Sequence, residues 1–318
     1  MNKRKWNERK LSDIATMIDY RGKTPQKSSR GIPLITAKIV KNGTILPANE
    51  FIAENQYASW MTRGYPCVGD VVMTTEAPLG EVAQLRDAHV ALAQRIITIR
   101  GKNDVLDNGY LKYFLQSAEG QGRLRARETG TTVTGIKAAE LRELMIPLPD
   151  IVQQRKISKV LLDLDEKIYN LTQINHNLEE QAKAIFKSWF VDFEPFQDGT
   201  FVDSELGQIP TGWRTGVLSE IADITMGQSP KGSSYNENSE GSVFYQGRAE
   251  FTDRFPTRRL FTTEPKRMAE AGDVLLSVRA PVGDMNIANV KAAVLDVGWL
   301  QFMQKKIFHL SFSIQCRL

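Results

Sequence analysis

The stretch DIVQQRKISKVLLDLDEKIYNLTQINHNLEEQAKAIFKSWF, Asp150 to Phe190, decides the fold. Its apolar positions step by four and then three: Ile157, Leu161, Leu164, Ile168, Leu171, then Asn175, Leu178, Ala182 and Ile185. This is the spacing of a heptad seam on one long helix. With Ile157 at position d, Leu161 and Ile168 fall at a, and Leu164 and Leu171 at d. Asn175 then occupies an a position, where a polar residue costs stability and fixes register or partner number. At 1.5 Å per residue the helix would be roughly 60 Å long. Its stripe has to be buried. The length and the strict seam point to a paired helix rather than an ordinary core helix.

Working outward, the chain repeats itself on either side of this helix. WNERKLSDIA begins at Trp6 and WRTGVLSEIA at Trp213. GKTP at Gly22–Pro25 is answered by GQSP at Gly227–Pro230, and GDVVMTTEAPLG (Gly69–Gly80) by GDVLLSVRAPVG (Gly272–Gly283). Three matches in one order, about two hundred residues apart, mark a duplicated domain and not a solenoid. Within a copy the pattern is mixed. KLSDIATMI fits a short strand or helix running into a turn, and GDVVMTT and RIITIR are β-rich runs. NGYLKYFLQSAEGQGRLRAR reads as one amphipathic helix ending near Thr129–Gly130, KAAELREL as a short helix, and MIPLP as a strand stopped by prolines.

The fold class is therefore α+β: two related domains joined by a long coiled-coil-forming helix, the second incomplete. The expected boundaries are 1–150 for the first domain, 151–192 for the helix and 193–212 for a linker rich in Pro and Gly. The partial second domain is expected over 213–293, and a tail over 294–318 no longer follows the repeat.

The net charge of +4 is too small to identify a nucleic-acid binder, but its distribution is uneven. Between Met1 and Lys41 eleven Lys and Arg stand against three acids, Glu8, Asp13 and Asp19, a footprint suited to phosphates or to a solvated surface. Two cysteines, Cys67 and Cys316, give neither a disulfide framework nor metal spacing, and His89, His176 and His309 are scattered. No phosphate loop, dinucleotide fingerprint, zinc-protease motif or nucleophile elbow is present. FEPF at Phe193–Phe196 only superficially resembles a methyl-transfer signature. PDIVQQRK at Pro149–Lys156 lacks the second acid a metal-dependent nuclease needs. The residues thus point to binding, not catalysis. The basic opening MNKRKWNERK is followed by no apolar core, and no run is long and apolar enough to span a bilayer, so a cytoplasmic protein without membrane contact is expected.

IPLPDIVQQRKISKVLLDLDEKI (Ile146–Ile168) and QAKAIFKSWFVDFEPF (Gln181–Phe196) closely resemble the central region of type I restriction–modification specificity subunits. The LSDIA and GKTP opening, the GD…APLG segment and TGTTVTGIKAAELRELMIPLP (Thr129–Pro149) resemble the same family. The resemblance implies two target-recognition domains, each reading half of a split DNA site. Two long helices would pair antiparallel as a spacer and dock methylation subunits, through which restriction subunits join. S-adenosylmethionine, ATP and Mg would sit on those partners, with no cofactor or metal on this chain.

Phosphate contacts would supply affinity and register, and a few side chains at base edges the sequence choice. The DNA-binding candidates are Arg21, Lys23, Thr24, Lys27 and Arg30 around the first turn, and Thr131, Thr132, Thr134 and Lys137 in the TTVTGIK segment. The bland alternative is a simple turn and a solvated helix start. The helix-pairing set is Ile157, Leu161, Leu164, Ile168, Leu171, Asn175, Leu178 and Ile185. Past Gly283 the family pattern fades. One permitted codon set for Ala293–Phe302, read two bases on, gives CIGRGLAAI, which resembles what the family carries there. Val294–Leu318 is accordingly expected to be out of frame, the alternative being a genuine short or divergent ending. Two activities follow as expectations. One is a half-length reader that pairs with a second copy of itself. The other is an inert or regulatory product that binds methylation subunits but reads no complete site.

Overall fold

A computed structural model describes residues 6–130, 134–220, 222–246, 248–277, 282–290, 293–295 and 299–304. Two units are separable, Met1–Leu171 and Thr172–Leu318. In the first, strand Asn7–Lys10 pairs antiparallel with Met145–Leu148, so the beginning and end of the domain close on each other. KLSDIATMI takes both forms the sequence allows: helix Leu11–Ile14 runs directly into strand Ala15–Asp19. That strand opens a four-stranded antiparallel sheet, followed in order by Ile96–Gly101, Val71–Thr74 and Val82–Gln84.

The apolar runs are strands buried on both faces. Val71, Met73, Ile97 and Ile99 join the core formed with Leu111 and Leu115, while Val72 and Ile96 join a second core with Leu34, Ile52 and Leu92. Successive strand residues point to opposite faces, so two cores require continuous apolar sequence rather than alternation. Under the second core lies a three-stranded sheet of Phe51–Ile52, Ile32–Ile35 and Ala91–Leu92, its last pair parallel.

One expected helix is two. Asn108–Gln116 ends at Ser117, whose extended backbone breaks the helix and whose Oγ accepts the Gly120 N–H at 3.1 Å to cap Ala118–Arg125. A serine at an N-cap competes effectively with continued helix, which periodicity alone does not register.

The long helix is Ile151–Phe190, 40 residues. Its contact with the first domain is made by polar side chains together with Leu162. Gln154 and Ser158 are buried. Gln154 donates to the carbonyls of Val105 and Pro149 and accepts the Asp107 N–H. Asp165 accepts from Lys112 and from the Tyr113 hydroxyl. Glu166 pairs with Arg86, whose guanidinium lies over the Tyr169 ring at 4.0 Å. The seam faces away: Ile157, Leu164, Ile168, Leu171, Leu178 and Ile185 are exposed, as is Asn175, and Leu161 is half-buried.

In the second unit the expected linker is folded. Phe201–Ser204 and Gly207–Pro210 form a hairpin, and the rings of Phe190, Phe193 and Phe196 surround Trp213 at 5.9, 5.4 and 5.3 Å. The strands beyond repeat the first domain. Ala222–Met226, Trp299–Gln304, Val274–Ser277 and Met285–Ile287 stand in the order of Ala15–Asp19, Ile96–Gly101, Val71–Thr74 and Val82–Gln84. Ser242–Tyr245 pairs in parallel with Ala293–Leu295, as Ile32–Ile35 does with Ala91–Leu92. Sheet pairing therefore does not stop at the expected 293 boundary: two strands beyond the last repeat motif fill places the first domain assigns to its own strands. The expected tail begins inside them. Residues 296–298 and 305–318 lie outside the described residues.

Candidate functional site

The antiparallel register of the four-stranded sheet brings three loops to one end: Tyr20–Thr24, Ala93–Arg95 and Thr75–Glu81. A fourth joins them, because the Ile136 N–H donates to the Thr75 carbonyl and Gly135 bridges to Glu76. The first turn and the TTVTGIK segment, far apart in sequence, thus meet here. Gly22 takes φ +80°, the left-handed turn conformation that glycine adopts freely.

Lys23, Thr24, Lys27, Arg30, Thr134 and Lys137 are exposed, and Arg21 is half-buried; Thr131 and Thr132 lie outside the described residues. The candidates are not equivalent. Arg21 Nε and Nη2 hold both oxygens of Asp19, at 3.1, 3.1 and 2.8 Å, and its Nη1 donates to the Ile136 carbonyl at 3.0 Å. Its charge is neutralised and its fork occupied, so it ties the two segments together rather than standing free for a phosphate. Burial pushes the Asp19 carboxyl up, but the side-chain and backbone hydrogen bonds of Arg21 outweigh it and leave the group below its ordinary value. Lys27 pairs with Glu50 at 2.9 Å, and this contact holds Glu50 below the usual carboxylate range. Among the described residues Lys23 Nζ reaches only the Thr62 hydroxyl, at 3.4 Å, and Thr24 faces Gln94. Arg30 and Lys137 make no ion pair among the described residues. Exposed cations and hydroxyls on one rim of loops can engage a polyanion's backbone.

Two residues of this rim carry no signal in the sequence. Tyr20 is buried, with its hydroxyl bonded to the Thr62–Gly64 loop, and Arg63 in that loop reaches back over the turn. They are some forty positions apart, and only the folded sheet joins them.

The opposite end of the sheet holds a polar cavity of about 410 Å³ lined by Cys67, Asp70, Arg100 and Arg155 among others. Asp70 accepts from Arg100 through Nε and Nη2, both at 2.7 Å, and from the Cys67 N–H at 2.8 Å. A carboxylate so saturated braces the loop. Among the described residues no cluster of His, Cys, Asp or Glu could hold a metal ion, and no helix is long and apolar enough to cross a membrane.

Residues 3–180 match the family described as type I restriction modification DNA specificity domain. The chain is 30% identical over 303 residues to the MjaX type I specificity subunit of Methanocaldococcus jannaschii, covering 91% of this chain and 70% of that protein. It is 31% identical over 246 residues to the MjaIX specificity subunit of the same organism, covering 74% of this chain but 56% of that one. A crystal structure of the type I restriction-modification system S subunit from M. genitalium has the same fold. Its TM-score is 0.58 at 17% identity, over 99% of this chain and 77% of that one.

Proposed function

Because the chain belongs to the type I restriction–modification specificity family and is a non-catalytic DNA-recognition component, we propose that its first domain reads half of a split DNA site through the loop rim of Lys23, Thr24, Thr134 and Lys137; Arg30 stands before strand Ile32–Ile35, outside the converging loops. The observation that carries this is the convergence of four loops on one end of the sheet. Their cations Lys23 and Lys137 are exposed and make no ion pair among the described residues. Lys27 contributes less, since Glu50 already holds it.

The exposed seam of the long helix is the second element of the proposal. A row of half-exposed leucines and isoleucines that long is buried by another helix of matching seam. A second copy of this chain supplies one, in two-fold pairing that presents two identical reading domains to a palindromic split site. Methylation subunits, which carry S-adenosylmethionine, and restriction subunits with ATP and Mg would then be guided to that site.

Adenine methylation mapped in cells expressing the chain with methylation subunits tests this. A split motif, symmetric if two copies pair, is the expected result. Methylation subunits that co-purify with the chain while no motif is methylated would favour the other reading, a regulatory product that occupies them without reading a complete site. Mass measurement in solution should give a dimer, alone or with methylation subunits; a strict monomer in both settings overturns the pairing of copies.

A further inference from the structure

Asp19 and Arg21 neutralise each other at the first turn, so the positive charge left there belongs to Lys23 and Arg63. Arg63 is the more constrained. The Tyr20 hydroxyl donates to the Gly64 carbonyl at 3.0 Å and accepts the Arg63 N–H at 2.9 Å. Tyr20 is itself buried and stacked on Trp60. One corner of the guanidinium is fixed as well: Nη1 donates to the carbonyls of Asp19 at 2.6 Å and Arg21 at 2.9 Å. Nε and Nη2 make no hydrogen bond among the described residues, and the side chain is exposed.

Carbonyls orient a guanidinium without cancelling its charge. A side chain already held in one geometry loses little conformational freedom on binding. The open Nε–Nη2 edge is the planar fork that fits two adjacent acceptors, which in a duplex are phosphate oxygens or guanine O6 and N7. The Nη1 bonds and the approach of the guanidinium to the Tyr20 ring, at 6.0 Å, hold its geometry and leave the Nε–Nη2 edge open to a ligand.

We propose that Arg63 contacts DNA directly, presenting this edge to a bidentate acceptor on the duplex and fixing the register of the first domain. The inference rests on the DNA-reading function proposed above and adds to it a residue that neither the turn motif nor the repeat marks.

The test uses the full chain co-purified with methylation subunits. The probes are a duplex carrying the motif mapped for wild type and a scrambled duplex, each titrated across salt concentrations. Arg63→Met should weaken binding about 5- to 150-fold, the range of one good bidentate contact. A phosphate contact lowers both duplexes alike and reduces the slope of log affinity against log salt by about 0.9, and Arg63→Lys recovers most of the loss. A guanine contact lowers only the motif duplex, abolishes discrimination at one G·C pair, and is not recovered by lysine. Arg63→Lys can still donate to the two carbonyls, so it separates a lost contact from a disordered turn. Both variants binding both duplexes like wild type, with an unchanged slope, overturns the inference. A wild-type complex that binds neither duplex overturns DNA reading itself, and the two failures are thereby distinct.

Discussion

Asp165→Ala should loosen the long helix from the first domain far more than Lys112→Met does. The Lys112 side chain is 5% exposed, whereas that of Asp165 is 37% exposed. Removing the carboxylate strands a cation that water cannot reach and also deprives the Tyr113 hydroxyl of its acceptor at 2.8 Å. Breaking a buried pair in this way costs about 3–5 kcal/mol, and the partial exposure of Asp165 places this case near 3. Removing the lysine instead leaves a carboxylate that water and Tyr113 both satisfy, so the loss is about 1 kcal/mol. Burial and the bond to Asp165 also push the Tyr113 phenol well above its ordinary range, so that hydroxyl stays a donor at every working pH.

Hydrogen exchange on the full chain, followed in peptides from residues 151–171, isolates this local opening from the rest of the molecule. A change of about 3 kcal/mol accelerates exchange roughly 150-fold, and 1 kcal/mol about fivefold. Lys112→Met combined with Asp165→Leu should exchange more slowly than Asp165→Ala alone, because no orphaned charge remains. Equal and small effects of the two single changes, with an additive double, would refute the view that this pair docks the helix.

Gly109 lies where the domain meets the same helix face, and a Cβ there would come within 2.8 Å of Leu162 Cδ1 and 2.9 Å of Ser158 Cβ. Gly109→Ala should therefore cost about 1–2 kcal/mol through overpacking despite its better helix propensity, read as faster exchange in the same peptides. Asp19 tests the turn. Its carboxyl is lowered in the folded state, so its contribution is complete above the ordinary value near 3.8 and is lost as pH falls through the lower folded value. Arg21→Gln should move that titration upward, seen in the carboxyl carbon shift, because the guanidinium's hydrogen bonds and charge are lost while burial remains, and the residue-21 backbone N–H and Arg63 offset burial only in part; an unchanged midpoint would mean that the Arg21 side chain does not stabilise the ionised form.

The elements that sequence made legible are those whose pattern is local. The long helix follows from its heptads, and the duplicated sheets follow from motifs in one order. The break at Ser117 escaped because a cap competes with a helix by a single hydrogen bond that periodicity does not weigh. The hairpin of the linker escaped because its Pro and Gly residues read as turns, while the ring cluster around Trp213 depends on contacts across it. At the site, residue type alone could not separate free from paired cations: Arg21 and Lys23 are two positions apart, yet only Arg21 has a carboxylate under its fork. Arg63 was invisible for the complementary reason, since what orients it is the backbone of a strand some forty residues away.

In the proposed pairing, the division of the long helix bears on how a split site would be measured. Most helices dock on their own domain through an apolar stripe and leave polar residues to solvent. Here the polar groups of Gln154, Ser158, Asp165 and Glu166 stand on the domain beside Leu162, and the leucine seam faces outward. Hydrogen bonds and ion pairs are directional, so the polar contact fixes one angle between domain and helix. An apolar seam is non-directional along its length, and in the proposed pairing Asn175 would be the a-position group that discriminates one register from its neighbours. In the proposed pairing, angle and register are thus set by different chemistry on opposite faces of one helix. A slip of one heptad would shift the reading domains by about 10 Å, roughly three base pairs at 3.4 Å each. In that pairing the spacer between half-sites would be set by the seam and the approach of each domain to its bases by the dock.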